Sequence, residues 1–93
     1  MAQDAGVKDL GQLRQFGRNL NIASGNLTQL FQQLTQQMHQ VCDSWQDDQN
    51  RTFMGDFEQK KNEIDRIAQQ MQQYSEFINR SCDILEQYKS HRL

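Results

Sequence analysis

Two heptad seams run in opposite directions from one short stretch, Trp45-Gln46-Asp47-Asp48, and they leave the chain few folds to choose from. Backwards from the tryptophan, steps of four and three meet Trp45, Val41, Met38, Leu34, Phe31, Leu27, Ser24, Leu20, Gly17, Leu13 and Leu10. Forwards, the same stepping meets Phe53, Phe57, Lys60, Ile64, Ile67, Met71, Tyr74, Ile78, Ser81, Leu85 and Tyr88. A mainly apolar repeat of this period marks helices packed side by side. The seams mirror each other about Gln49: Trp45 pairs with Phe53, Leu34 with Ile64, Leu20 with Ile78 and Gly17 with Ser81. One antiparallel register satisfies every layer. The fold class expected is all-α, an antiparallel two-helix hairpin that dimerises into a four-helix bundle.

Local signals set the boundaries. Residues 1–8 are small or polar without periodicity and read as a flexible tail. Asp9 followed three residues later by Gln12 resembles a capping box, so the first helix is expected over 9–45. Gly17 and Gly25 are its weak points, each costing about 1 kcal/mol against alanine. With no proline and no glycine at a helix end, the turn at 45–48 relies on its aspartates. Asp47 is the expected left-handed residue, and Asp47 or Asp48 the cap of a second helix over 48–89. Residues 90–93 are expected to fray.

Ninety-three residues allow one small domain. A hairpin buries only its facing stripes, so association is the expected remedy for a thin core. The net charge of −2 argues against a nucleic-acid surface or a basic membrane-binding face. No apolar run is long enough to span a bilayer. The N-terminus lacks the basic start and apolar core of a secretory signal peptide, so any export is expected to bypass that route. Cys42 and Cys82 fall at opposite ends of the hairpin, roughly 40 Å apart at 1.5 Å per residue, so they read as free, half-buried side chains rather than a disulfide.

Apolar residues outside the seams point to the partner. Phe16, Ala23 and Leu30 recur every seven residues beside the first seam, and Phe77 and Ile84 do so beside the second. In an antiparallel pair these flanks lie on one side and form a second apolar strip. They are the candidate dimer interface, for a homodimer or for a heterodimer with a similar hairpin. From Asn19 to Cys42 there is no Asp, Glu, Lys or Arg. That neutral face is read equally as a glutamine-rich solvated surface or as a partner contact.

Trp45-Gln46-Asp47, with Phe53 eight residues after the tryptophan, sits mid-chain between two helices. In this it resembles the WXG family, the small early-secreted-antigen-like (ESAT-6-like) proteins of type VII secretion. The resemblance covers nearly the whole chain in architecture, but its motif is short. Asp47 replaces the motif glycine. The family's export motif, a tyrosine followed four residues later by an acidic residue, is not matched: Tyr88 is followed at that spacing by Arg92 and Tyr74 by Ile78. The resemblance implies a non-enzymatic secretion substrate or secretion-associated adaptor that dimerises, is cytoplasmic before export, and serves a larger effector or the secretion machinery. It also implies a recognition role for the turn motif, at Trp45 and Asp47. Phe53 is the aromatic against which Trp45 closes the turn.

No catalytic pattern emerges. His39 and Cys42 share a helix face at a spacing that could hold two metal ligands, but two ligands are not a site. There is no phosphate loop, no nucleophile elbow and no inward pair of carboxylates. No cofactor or metal is expected. Two rival readings stay open: an intracellular coiled-coil interaction module unconnected with secretion, and a subunit of a helical filament or needle.

Overall fold

A computed structural model describes residues 9–90, the side chain of Ser90 excepted. The expected tail at 1–8 and residues 91–93 lie outside that range. Two helices, α1 (Leu10–Cys42) and α2 (Asp48–Ser90), pack antiparallel as a hairpin measuring 70 × 17 × 16 Å. Asp9 caps α1 as its spacing to Gln12 predicts: Asp9 Oδ1 accepts from the Gln12 amide at 3.0 Å.

The turn is built differently from the sequence expectation. No described residue has a left-handed backbone, Asp47 included. Helix α1 ends at Cys42, three residues before Trp45, and Asp43 at its C-cap keeps a right-handed helical conformation. The loose carbonyls are met by short-range bonds instead. The Ser44 amide donates to Val41 O and the Trp45 amide to Cys42 O, each at 3.3 Å, and Gln46 Nε2 donates to Asp43 O. A final turn tightened in this way needs no left-handed residue. Asp47 is free to serve as the α2 cap, its Oδ1 accepting from the Asn50 amide at 2.9 Å.

The helices face each other one helical turn away from the mirror register. A Cβ on Gly17 would lie 3.0 Å from Ile78 Cγ2, so Gly17 packs on Ile78 and not on Ser81. The inner row of α1 follows the expected seam from Leu10 to Phe31, then steps by four to Thr35 and continues through Met38 and Cys42. Val41 is turned out and 61% exposed. A straight helix drifts against a strict seven-residue repeat, and this extra step absorbs the drift. On α2, Phe57, Ile64, Met71, Ile78 and Leu85 face inward as expected. Their companions are Met54, Lys61, Ala68, Ser75 and Cys82, while Phe53, Ile67, Tyr74 and Tyr88 are exposed.

Small residues decide this choice. Gly17 and Ser24 on α1 meet the row of Ala68, Ser75 and Cys82 on α2, so the backbones approach closely. Two reciprocal hydrogen bonds lock the approach. Ser24 Oγ donates to Ala68 O at 2.7 Å, and Ser75 Oγ donates to Gly17 O at 2.6 Å. Bulky Ile67 or Tyr74 in the same row would hold the backbones apart and leave both hydroxyls unpaired. Both cysteines are free and buried, more deeply than the half-buried state expected of them, and Cys82 is wholly enclosed.

Two positions are suboptimal for the isolated hairpin. Nothing lies within 4 Å of a Cβ built on Gly25. Gly25→Ala should therefore stabilise the fold by about 0.5–1 kcal/mol through helix propensity, measurable by urea denaturation. Asn50 is buried in the first turn of α2, and its Oδ1 has no hydrogen-bond partner among the described residues. Asn50→Leu should remove that desolvation cost and raise stability by about 1 kcal/mol, seen as a Tm increase of roughly 5 °C.

Candidate interaction surface

The two long sides of the hairpin differ in chemistry. One side is polar. Arg14 donates to Asp83 and Glu86 across the open end, and to Asn79 Oδ1 at 3.1 Å. The hydrogen bonds to Asp83 and then Glu86 push the Arg14 guanidinium still further above its ordinary pKa, so it stays a cation throughout the accessible pH range. Further along, His39 lies 4.0 Å from Glu58, and Lys61 pairs with Asp65 at 3.0 Å. Between them runs a shallow groove lined by uncharged Asn21, Thr28, Gln32 and Gln72. His39 sits on this polar side while Cys42 is buried between the helices, so the two do not converge on a common point.

The opposite side is apolar. In an antiparallel pair, the residues preceding one row of inner positions, Gly17, Ser24, Phe31, Thr35 and Cys42 on α1 and the row of Met54, Lys61, Ala68, Ser75 and Cys82 on α2, fall on the same flank. On α1 these positions are Phe16, Ala23, Leu30, Leu34 and Val41. On α2 they are Phe53, Lys60, Ile67, Tyr74, Ser81 and Tyr88, with Phe77 and Ile84 alongside. Phe16, Leu30, Phe77 and Ile84 are exposed, and Ala23 is half-buried. Among the described residues, every exposed large apolar side chain except Ile22 belongs to this flank. Leu34, Val41, Ile67, Tyr74 and Tyr88 join it because they leave the interhelical seam. The sequence signal for them was the heptad row of small residues beside theirs, Ala68, Ser75 and Cys82, which competes for the inner position.

The rim of the flank on α1 is formed by Asn19, Asn26, Gln33 and Gln37, all uncharged. Part of the neutral stretch from Asn19 to Cys42 therefore borders the apolar strip and part lines the groove on the other side. Lys60 is the one charged residue within the strip, lying 3.8 Å from Asp56 and 4.0 Å from Glu63.

An aromatic ladder closes the turn end. The Trp45 ring lies on Phe53 with centroids 5.9 Å apart, Phe53 meets Phe57 at 5.9 Å, and Phe57 meets Phe31 at 6.4 Å. These tilted, offset contacts suit the ring quadrupoles. Trp45 is half-buried and Phe53 is 43% exposed, so the ladder emerges at the turn end of the apolar flank. Asp47, third in the tryptophan motif, spends its carboxylate on the α2 cap.

A hairpin with a tryptophan at its turn has a counterpart among known families. The family model WXG100, proteins of 100 residues with WXG, matches residues 9–88. This chain belongs to the WXG100 family. No curated protein and no solved structure gives a significant match. WXG100 proteins are small helical proteins exported by, and associated with, type VII secretion, and they are not known as enzymes. No helix of this WXG100 protein is long and apolar enough to cross a membrane, among the described residues. Nor do those residues include a group of three or more His, Cys, Asp or Glu placed to hold a metal.

Proposed function

We propose that this WXG100 protein acts as a type VII secretion substrate or secretion-associated adaptor, through a helical partner that packs on its apolar flank. The observation that carries this reading is the one-sided exposure of Phe16, Leu30, Val41, Phe77 and Ile84 on a hairpin whose buried apolar core, among the described residues, is Met38, Cys42, Ala68 and Cys82. A monomer seldom leaves so long a continuous apolar strip in water. The partner is a hairpin of similar kind, homologous or identical, and the pair serves a larger secreted effector or the machinery itself. Export proceeds from the cytoplasm by the type VII route of its family. Trp45 and Phe53 form the recognition end, where the aromatic ladder reaches the surface.

The adaptor role draws support from the residues after Tyr88 and Tyr74. Neither tyrosine is followed four residues later by an acid, so an export signal of that form would come from a partner. The same fact is the one point in favour of an intracellular interaction module, the second reading.

The test is export of the full-length protein carrying Phe16→Asp and Ile84→Asp. Both side chains are exposed, so the fold should survive, with far-UV circular dichroism unchanged in shape. The amount in the culture supernatant should fall at least ten-fold, the loss expected when about 1.4 kcal/mol of partner affinity is removed. Undiminished export would reject the apolar flank as the working surface. Retention of the unmodified protein inside an intact, secreting cell would favour the intracellular module.

A further inference from the structure

We infer that α1 carries a second docking seam on its outer face, away from the apolar flank, and that its occupant is α1 of another copy of this chain, laid antiparallel along it. The inference goes beyond the reading of the apolar flank and does not rest on it: one chain can hold a flank partner and this contact at once.

Three observations meet at one place on α1. Nothing lies within 4 Å of a Cβ built on Gly25, and its backbone is not left-handed, so neither packing nor conformation within the hairpin calls for a glycine there. Beside it stands Ile22, 59% exposed and, among the described residues, the one exposed large apolar side chain outside the apolar flank. Charge is missing around both. Asn19 to Cys42 holds no Asp, Glu, Lys or Arg, whereas α2 exposes Glu58, Glu63, Arg66, Glu76 and Arg80. Depletion of charge around an apolar knob marks the centre of a contact rather than a solvated face. Ile22, Gly25, Gln29 and Gln32 follow one another at steps of three, four and three, and all are exposed. That spacing makes a further seam on α1, turned roughly 130° from the inner position of Ser24.

The seam is complementary to itself in one orientation. Two copies of α1 laid antiparallel, with the two-fold axis between Ala23 and Ser24, set Ile22 beside Gly25 of the second copy and Gly25 beside its Ile22. The apolar knob fills the hollow left by the missing side chain, once on each side of the axis. The same register sets Arg18 against Gln29 and Gln15 against Gln32. Arg18 already donates to Gln15 Oε1 at 3.0 Å within α1, and its guanidinium keeps further donors for the Gln29 carbonyl. No like charges meet. Laid parallel, Arg18 would stand against Arg18, Ile22 against Ile22, and two glycines would face each other across a gap. One seam of this length covers less than the roughly 800 Å² per partner of a stable complex. The contact is therefore weak, and it forms where chains are already gathered at high local concentration.

The experiment uses the full chain carrying Phe16→Asp and Ile84→Asp, which removes the apolar flank as a site of association. Light scattering should show the mass climbing from one chain towards two as the concentration rises to about 1 mM, the range of a weak contact. Adding Gly25→Gln fills the hollow and favours the helix. It should hold the mass at one chain while the Tm stays level or rises. A single-chain mass at every concentration, or a rise that Gly25→Gln leaves unchanged, would overturn the seam. Orientation is read by cross-linking with oxidised glutathione in the same background. Arg18→Cys mixed with Gln29→Cys should give disulfide-linked pairs. Arg18→Cys alone should not, because the two copies of that residue lie roughly 16 Å apart along the helices. The native cysteines are buried and serve as the background. Linkage of Arg18→Cys to itself, with none to Gln29→Cys, would overturn the antiparallel order. The apolar flank is tested by export and this seam by mass, so the two readings fail separately.

Discussion

Gly17→Val should cost about 2–3 kcal/mol and lower the Tm by roughly 10–20 °C, the largest loss of stability expected from a single added side chain in this hairpin. The cause is steric. A Cβ at this position already lies 3.0 Å from Ile78 Cγ2 and 3.7 Å from Ser75 O. The branched methyls of valine have no free space on that side, and Ile78, branched itself, cannot swing away cheaply. Spreading the helices would also break the bond from Ser75 Oγ to Gly17 O and strain its counterpart from Ser24 Oγ to Ala68 O. Thermal unfolding followed at 222 nm checks the prediction. A Tm within a few degrees of the unmodified protein would show that close approach at Gly17 is not what holds the register. Gly25→Ala is the natural control, because it changes the same residue type on the same helix and should move stability the other way.

Trp45→Gln should separate folding from function. Trp45 is only half-buried, and its main contact is the Phe53 ring at 5.9 Å. Its loss should therefore cost about 1–2 kcal/mol of stability, leaving a folded hairpin. A half-buried tryptophan at the end of an apolar flank is the residue type that dominates interfaces, where its removal costs about 2 kcal/mol or more and roughly thirty-fold in affinity. Export, or binding of the partner measured by titration calorimetry, should fall by that factor while circular dichroism at 25 °C stays helical. Outright unfolding would make the tryptophan a structural plug and withdraw its recognition role. Asp47→Asn should behave differently again. It keeps a capping oxygen for the Asn50 amide, so it should be nearly neutral in both assays.

Much of this architecture is legible from residue order alone. The helical period, the point of reversal at Trp45 to Asp48, the Asp9 cap and the antiparallel sense all come from local chemistry and spacing, which act within a few residues of themselves. The apolar flank is legible too, because Phe16, Ala23, Leu30, Phe77 and Ile84 repeat at seven beside the seams. The tertiary structure decided which of two adjacent rows on α2 turns inward. Hydrophobicity favours Phe53, Ile67 and Tyr74, while packing favours Ala68, Ser75 and Cys82. The rows differ by one residue, about 100° of helix rotation, and each is partly apolar, so pattern cannot rank them. Backbone separation can. Gly17 and Ser24 allow the helices to close, two serine hydroxyls then find carbonyls across the gap, and only small residues fit between them. The same rotation sends Ile67, Tyr74 and Tyr88 outward and, with Val41 turned out on α1, completes the flank. The conformation of the turn also lay beyond the sequence, because several short-range bonding schemes satisfy the last carbonyls of a helix equally well. Which one forms depends on how closely the two helices stand where the chain reverses.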